Sequence, residues 1–267
     1  MNNERFSKEQ LEKYLNTIGK VFLFDEIGST NAEAKRLATL GEEEFSLIVA
    51  QRQTAGRGRL GRSFFSPDGG IYFSLVLRPS IKAEEAVYIT VAAAVAVAQT
   101  IEKFAQKQCL IKWVNDIYIE GKKVCGILTE GVFGGNGTQL DSAILGIGIN
   151  LTEPKNGYPQ EIADRAAAVF GKRQIGGNEK AKLVADIVNG FSVLYSDLKS
   201  KGFLAEYRRR SYLDGKTVEY ELDGKLYSAK VKGIDENARI ILEQDGKTVA
   251  LSAGDVSVRP EQETEHE

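Results

Sequence analysis

The spacing of apolar and polar positions divides this chain into strands and helices. Short apolar runs at 21–24, 45–50 and 71–77, each bounded by polar or glycine-bearing segments, read as buried strands. Over 83–106 the pattern turns helical, with Ser80 placed to cap it. Tyr88, Val91, Val95, Ala98 and Ile101 fall in line there, and residues 91–98 are apolar almost all round, which predicts burial against a sheet. Residues 110–119, 124–130 and 143–151 follow as a meander of three strands, the first running on from Leu110 through Ile119. The segments that join them, 120–123 and the glycine-rich 134–137, have hairpin character. Ser7 and Gln10 form a capping box for a helix to about residue 16, and Thr30 with Glu33 forms another for a helix over 31–40. Pro159 opens a helix to about residue 170, and Asn178 caps a longer one with the stripe Leu183, Ile187, Phe191, Leu194 and Leu198. A last helical piece spans 203–210, and its Arg208, Arg209 and Arg210 are expected to be solvated.

From residue 213 the character changes. Residues 217–222, 226–234, 238–244 and 248–251 are short strands split by Asp-Gly-Lys turns, and 257–260 adds a fifth. Such close-set hairpins imply a small SH3-like barrel at 213–260, appended to an α/β (α+β) body at 1–212. The body is expected to hold a mixed, largely antiparallel sheet flanked by helices. The acidic tail 261–267 reads as disordered.

Composition narrows the chemistry. The 267 residues carry 35 Lys and Arg against 37 Asp and Glu, so the protein is not a general nucleic-acid binder. The only histidine, His266, lies in the tail, which excludes a Ser–His or Cys–His nucleophile pair and a histidine-based zinc site. Carboxylates, Lys, Arg, amides and a hard metal ion remain, a repertoire suited to phosphoryl or nucleotidyl transfer. Cys109 and Cys125 make no disulfide framework, the first ten residues are no signal peptide, and the run 91–98 is short of a membrane span. A cytoplasmic protein is expected.

Three stretches carry candidate chemistry. In the first, Gly56, Gly58 and Gly61 space Arg57, Arg59 and Arg62 between two strand signals. Glycine lets backbone N–H groups approach a ligand, and arginine grips carboxylate or phosphate with a planar fork, so the segment suits a polyanion held in a loop. A flexible Arg-Gly tract of the RNA-binding kind would sit in low-complexity surroundings, which are absent here. In the second, Lys112, Trp113, Val114, Asn115 and Asp116 precede Lys123 and Gly126. Lys, Asn and Asp together are unusual for an interior strand, and buried charges need partners or ligands. Pairing of Lys112 with Asp116 at the sheet end is the plainer alternative. In the third, Gly146, Gly148 and Asn150 share one strand face, either a flat floor for a ligand or a place of close backbone approach. Ser29, Thr30 and Asn31 stand at a strand-to-helix turn, where capping alone would account for them.

Taken together and in this order, Ser29-Thr30-Asn31, the 56–62 loop, the 112–116 segment, Lys123 with Gly126, and the stretch 146–150 resemble the biotin protein ligases, also called biotin–[acetyl-CoA-carboxylase] ligases. The resemblance runs from about residue 22 to 260 and includes the small barrel. It implies a class II synthetase-like catalytic fold and an enzyme that joins biotin to ATP, releases pyrophosphate, and passes biotin from biotinyl-5′-AMP to a lysine of a biotin carboxyl carrier protein. It also implies magnesium near the phosphates, metal ligands unassigned, and allows a homodimer.

By the same resemblance Ser29, Thr30, Asn31 and Gln53 hold the ureido end of biotin, with Gly126 nearby. Arg57, Gly58 and Arg59 wrap the acyl-adenylate, and Lys123 meets the carboxylate and the α-phosphate. Arg59, Arg62, Phe64, Lys112, Trp113, Asn115 and Asn150 serve the nucleotide, with Arg57, Lys112 and Lys123 catalytic. Asp116 is the candidate to orient or deprotonate the acceptor lysine. Val114 departs from the proline usual in the family, Leu60 from a charged residue, and Phe64 from a tryptophan; Phe64 is still expected to stack on adenine. Only about 20 residues precede the first catalytic strand. An enzyme that does not bind DNA or a membrane is therefore expected. The rival readings are a lipoate or octanoate ligase or transferase, and a non-enzymatic RNA- or nucleotide-binding protein.

Overall fold

A computed structural model describes residues 5–16, 19–133, 140–222, 224–253 and 258–260. The glycine-rich 134–137, residue 257 and the acidic tail lie outside the described residues. The first half contains α1 (Lys8–Glu12), β1 (Val21–Ile27), α2 (Thr30–Thr39), β2 (Leu47–Gln53), β3 (Gly70–Leu77) and α3 (Val87–Ala105). Then come β4 (Leu110–Lys112), β5 (Asp116–Ile119), β6 (Lys122–Phe133) and β7 (Leu140–Asn150). Three helices follow, α4 (Gln160–Ala163), α5 (Gly177–Ser196) and α6 (Phe203–Arg209). The last strands are β8 (Thr217–Leu222), β9 (Lys225–Ile234), β10 (Ile240–Gln244), β11 (Lys247–Leu251) and β12 (Val258–Pro260).

Strands β1 to β7 form one sheet of seven in the order β1-β2-β3-β7-β6-β5-β4, in which only β1 and β2 are parallel. Strand β3 is buried along its whole length, as its continuous apolar run requires. One sheet face packs on α3, which packs in turn on α5. Helix α3 with the 3₁₀ turn before it (Ala83–Ala105) is long and apolar enough to cross a membrane by length and composition, yet it lies in the core with Val91, Val95 and Ala98 fully or almost fully buried. On the opposite face α2 seats Ala34, Leu37 and Ala38 on Ile48, Val76 and Ile144. The cleft described below opens beside α2. Strands β8 to β12 make a second, antiparallel sheet of five, the small C-terminal β-domain.

Several boundaries differ from the sequence reading, each for a local reason. The cap of α2 is Ser29, whose side chain accepts from Ala32 N–H; the Thr30 hydroxyl is engaged elsewhere. Ser80 caps nothing, because a 3₁₀ turn at Ala83–Ala86, closed by Lys82 N–H on the Glu85 carboxylate, precedes α3. Helix α1 stops at Glu12, and the helix after Pro159 is a single turn. Helix α5 begins at Gly177 with Gly176 as its cap, while the Asn178 side chain accepts from Tyr14 OH. A Cβ at Gly177 would lie 1.9 Å from the Arg5 carbonyl, so the N-terminal segment packs directly on this helix start. The largest difference is at 110–119. There β4 and β5 are separate antiparallel strands with Lys112 opposite Asp116, joined by a tight turn at 113–115 that contains a cis Trp113–Val114 bond.

Arg210 is also not solvated. It is 5% exposed and binds Glu102 at 2.5 Å, Glu206 at 2.7 Å and the Cys109 carbonyl at 3.0 Å, tying α6 to α3. Hydrogen bonds from Arg209 first, and then Arg210, pull the Glu206 carboxyl from an ordinary 4.5 down to about 2. Removing a buried cation strands its partners, so Arg210→Met is expected to cost about 3 kcal/mol in urea unfolding. The unfolded chain binds more protons than the native one between these two values. Glu206 therefore stabilises fully above pH 4.5, and its contribution is lost as pH falls towards 2. In Glu206→Gln the decline of the urea midpoint over that window should be shallower than in wild type.

Candidate active site

The cleft begins where the sheet surface is bare. Gly126 and Gly148 are partners across β6 and β7, and a Cβ on either would meet the Phe64 ring, at 2.8 and 2.6 Å. Two residues along β7, on the same face, a Cβ on Gly146 would lie 2.0 Å from Asn31 Oδ1. The glycines thus let an aromatic ring and an amide rest directly on the strands. Of the two alternatives in the sequence the structure shows the close approach, and the same three glycines line the cleft.

Next to this floor a polar end is built from α2 and β2. Gln53 Oε1 accepts from Thr30 N–H at 2.8 Å, and Gln53 Nε2 donates to Ser66 Oγ at 3.0 Å. The Asn31 amide donates to the Glu130 carboxylate at 2.6 Å and accepts from Ser74 Oγ at 2.6 Å. Ser29, Thr30, Asn31 and Ser74 are all buried. Their hydroxyls and amides thus do more than cap a helix.

The other end is cationic. The arginine loop closes on itself through Gly58 N–H to the Arg62 carbonyl (2.7 Å) and Phe64 N–H to the Gly56 carbonyl (2.9 Å). Its tip is pinned by Arg59, which donates to Asn115 Oδ1 at 3.3 Å and to the Ala253 carbonyl of the C-terminal domain. Burial works to lower the Arg59 guanidinium pKa, and Asp116 opposes it. Asn115 also donates to the Ile127 carbonyl at 2.7 Å, which fixes the 113–115 turn on β6, while Trp113 Nε1 donates to the Ala238 carbonyl at 2.9 Å. Lys123 Nζ lies 2.7 Å from Asp116 Oδ1, off the direction of a good hydrogen bond, and 5.5 Å from the Phe64 ring centroid. Lys112 stands opposite Asp116 across β4 and β5, and its ammonium is 5.8 Å from the Tyr118 ring centroid. Asn150 donates to the Ala167 carbonyl at 3.2 Å.

Every residue given a binding or catalytic role from the sequence lines this one cleft of about 400 Å³, whereas Gly56, Gly61 and Val114 do not. It also contains residues that motif reading missed. Residues 165–167 lie beside Lys123, with Lys123 N–H on the Arg165 carbonyl (2.8 Å) and Ala167 N–H on the Lys123 carbonyl (2.9 Å), so Arg165 and Ala166 enter the wall. Tyr118 and Tyr158 join them, and burial raises the Tyr158 phenol to about 12. Period-2 alternation from Asp116 could have found Tyr118; nothing local marks Arg165. Asp116 is the only carboxylate among the described lining residues, against Arg57, Arg59, Arg62, Lys112, Lys123 and Arg165. No group of three metal-ligating side chains occurs among the described residues.

Residues 23–150 match the biotin/lipoate A/B protein ligase family, and residues 215–259 match the biotin protein ligase C terminal domain. The chain is 36% identical over 241 residues to the bifunctional ligase/repressor BirA of Bacillus subtilis, covering 88% of this chain and 72% of that protein. The chain belongs to the biotin protein ligases. It is 29% identical to the biotin–[acetyl-CoA-carboxylase] ligase of Mycobacterium tuberculosis, covering 86% of this chain and 85% of that one. Its fold superposes on the biotin protein ligase from Aquifex aeolicus in complex with biotin and ATP with a TM-score of 0.74 at 25% identity, covering 91% of this chain and 99% of that one.

In this ligase the tip of the arginine loop is held down by Arg59. Arg59→Gly removes both anchors of its tip, each worth about 1 kcal/mol. Limited proteolysis should then cut within 57–62 roughly tenfold faster than in wild type while the rest of the chain stays protected.

Proposed function

We propose that this ligase activates biotin with ATP and transfers it to a lysine of a biotin carboxyl carrier protein. The observation that carries the reading is a single cleft with a buried hydroxyl–amide end and a densely cationic end, joined by a glycine floor. Thr30 and Gln53 suit the ureido head, with Ser29 and Asn31 shaping the pocket behind it. Arg57, Gly58, Arg62, Lys112, Asn115 and Asn150 suit the nucleotide, and Phe64 with Trp113 flanks its base.

In the first half-reaction the biotin carboxylate attacks the α-phosphorus. A C(O)O–P bond forms, the bond to the β-phosphate bridging oxygen breaks, and pyrophosphate leaves. Two anions meet in this step, so Lys123 and Arg57 lower the barrier by offsetting their repulsion. Magnesium supplies further charge neutralisation when bound. With Asp116 the only carboxylate lining the cleft among the described residues, the ion would be held chiefly by phosphate oxygens and water. The closed loop keeps water from the mixed anhydride. In the second half-reaction a neutral lysine amine attacks the acyl carbon, AMP departs, and the amine proton is lost, with Asp116 orienting or accepting it. Free buried cysteines suit a cytoplasmic setting.

Pyrophosphate release should require ATP and biotin together; release with lipoate and none with biotin would overturn the reading. Given preformed biotinyl-AMP, Asp116→Asn should transfer at least roughly tenfold more slowly than wild type, and an unchanged rate would remove Asp116 from the chemistry. Arg57→Gly should lose adenylate to solvent, seen as biotinylation of bystander lysines.

A further inference from the structure

One turn of the C-terminal domain reaches a side chain of the cleft wall. Strands β9 and β10 form a hairpin in which Ile234 stands opposite Ile240, and residues 235–239 make its loop. Ala238 in that loop is buried and has a φ of 58°. The left-handed region is unfavourable for a residue with a Cβ, so something must hold the turn there. The Ala238 carbonyl accepts from Trp113 Nε1 at 2.9 Å, and Trp113, 5% exposed, lines the cleft. An indole has a single donor. If this carbonyl turned away, the ring would have to shift or leave a buried N–H without a partner.

Asp235 supplies the hold. Its Oδ1 accepts from Asn237 N–H at 2.9 Å and from Arg239 N–H at 2.8 Å, and its Oδ2 accepts from Arg239 Nε at 2.7 Å. Asp235 N–H closes the loop on the Arg239 carbonyl at 3.0 Å. The Arg239 N–H and the Ala238 carbonyl belong to one planar trans peptide group, so they point in opposite directions. Gripping the N–H on one side therefore aims the carbonyl at the other, where Trp113 lies. The rest of the turn is seated separately. Tyr88 OH donates to Asn237 Oδ1 at 3.3 Å, and Lys201 Nζ donates to the Glu236 carbonyl at 3.2 Å. These contacts keep the hairpin docked on the catalytic body when Asp235 is changed.

We propose that Asp235 is a positioning residue for the nucleotide site, acting on Trp113 through the orientation of one peptide plane. The inference rests on the ligase reading, in which Trp113 flanks the base, and deepens it. Asp235 touches no ligand in this scheme. It fixes the Ala238 carbonyl, and the carbonyl fixes the indole at the head of the 113–115 turn. The polar end of the cleft, with Thr30 and Gln53, is built on α2 and β2 instead. Loss of Asp235 therefore weakens the nucleotide's place and spares that of the biotin head group.

Steady-state pyrophosphate release by the full chain at saturating biotin tests this. Asp235→Ala should raise the KM for ATP at least about tenfold, with kcat within about threefold of wild type. Asp235→Asn keeps the oxygen that grips the two amides and loses only the charge facing Arg239, so its KM should stay within about threefold. The biotin Kd from calorimetric titration should hold in both. Trp113 is the only tryptophan, so its emission reports the indole directly. That emission should shift to the red in Asp235→Ala and match wild type in Asp235→Asn. Trp113→Phe has no N–H to place, and on that background Asp235→Ala should add less than about twofold to the KM. A wild-type KM for ATP in Asp235→Ala would overturn the proposal. So would an equal rise on the Trp113→Phe background, or equal losses in Asp235→Asn and Asp235→Ala. Should Asp235→Ala not fold, Asp235→Ser, whose hydroxyl is too short to grip both amides, is held to the same criteria. These results, obtained with a wild type that releases pyrophosphate from ATP and biotin, would leave the ligase reading standing; a wild type that did not use biotin would take down the reading itself.

Discussion

Close approach to the sheet is the constraint on which the site depends. Rows Tyr72–Gly148–Gly126 and Ser74–Gly146–Leu128 run side by side across β3, β7 and β6. In each row a glycine leaves a hole the size of a side chain. Phe64 fills one and Asn31 the other, one from the arginine loop and one from the start of α2. Both elements are thereby indexed to the same two strands, and the distance between the polar end and the cationic end is set by two residues of strand. A Cβ at 2.0 Å from Asn31 Oδ1 could not be absorbed by a small adjustment, because that amide is held on both sides by Ser74 and Glu130.

The second dependence is electrostatic. A cleft with this surplus of cations would repel itself and swell unless some charges were fixed by neighbours. Asp116 is paired with Lys123, and Arg59 is drawn out of solvent onto Asn115 and the C-terminal domain. The other cations that line the cleft, Arg57, Arg62, Lys112 and Arg165, are what an incoming nucleotide would meet. Folding has already fixed Arg59 and Lys123, so binding anions beside them costs less reorganisation than gathering lysines and arginines from a flexible surface.

Much of this was legible in the chain because strand periodicity and glycine placement are local signals. The floor glycines, the arginine loop and the second sheet all follow from spacing within a few residues. Boundaries decided by distant partners were not legible. Arg210 reads as surface charge until Glu102, over a hundred residues away, is packed against it. The turn at 113–115 interrupts what alternation alone draws as one strand, because Asn115 is captured by the Ile127 carbonyl and Val114 by Tyr207 OH. Arg165 reaches the cleft only through backbone pairing with Lys123. In each case the deciding interaction joins segments that no window of sequence contains.

The same reasoning explains why the small C-terminal sheet belongs to the working enzyme. It contributes none of the motif residues, yet two of its carbonyls, on Ala238 and Ala253, accept from Trp113 and Arg59. One of these donors stands in the turn that carries Asn115, the other at the tip of the loop. Backbone carbonyls suit such contacts because they impose position without demanding a particular side chain. The domain therefore acts on the cleft by holding its two least regular segments in register with each other. Its sequence is accordingly free to vary on its outer face so long as the turns that present those carbonyls, one before β10 and one after β11, keep their place.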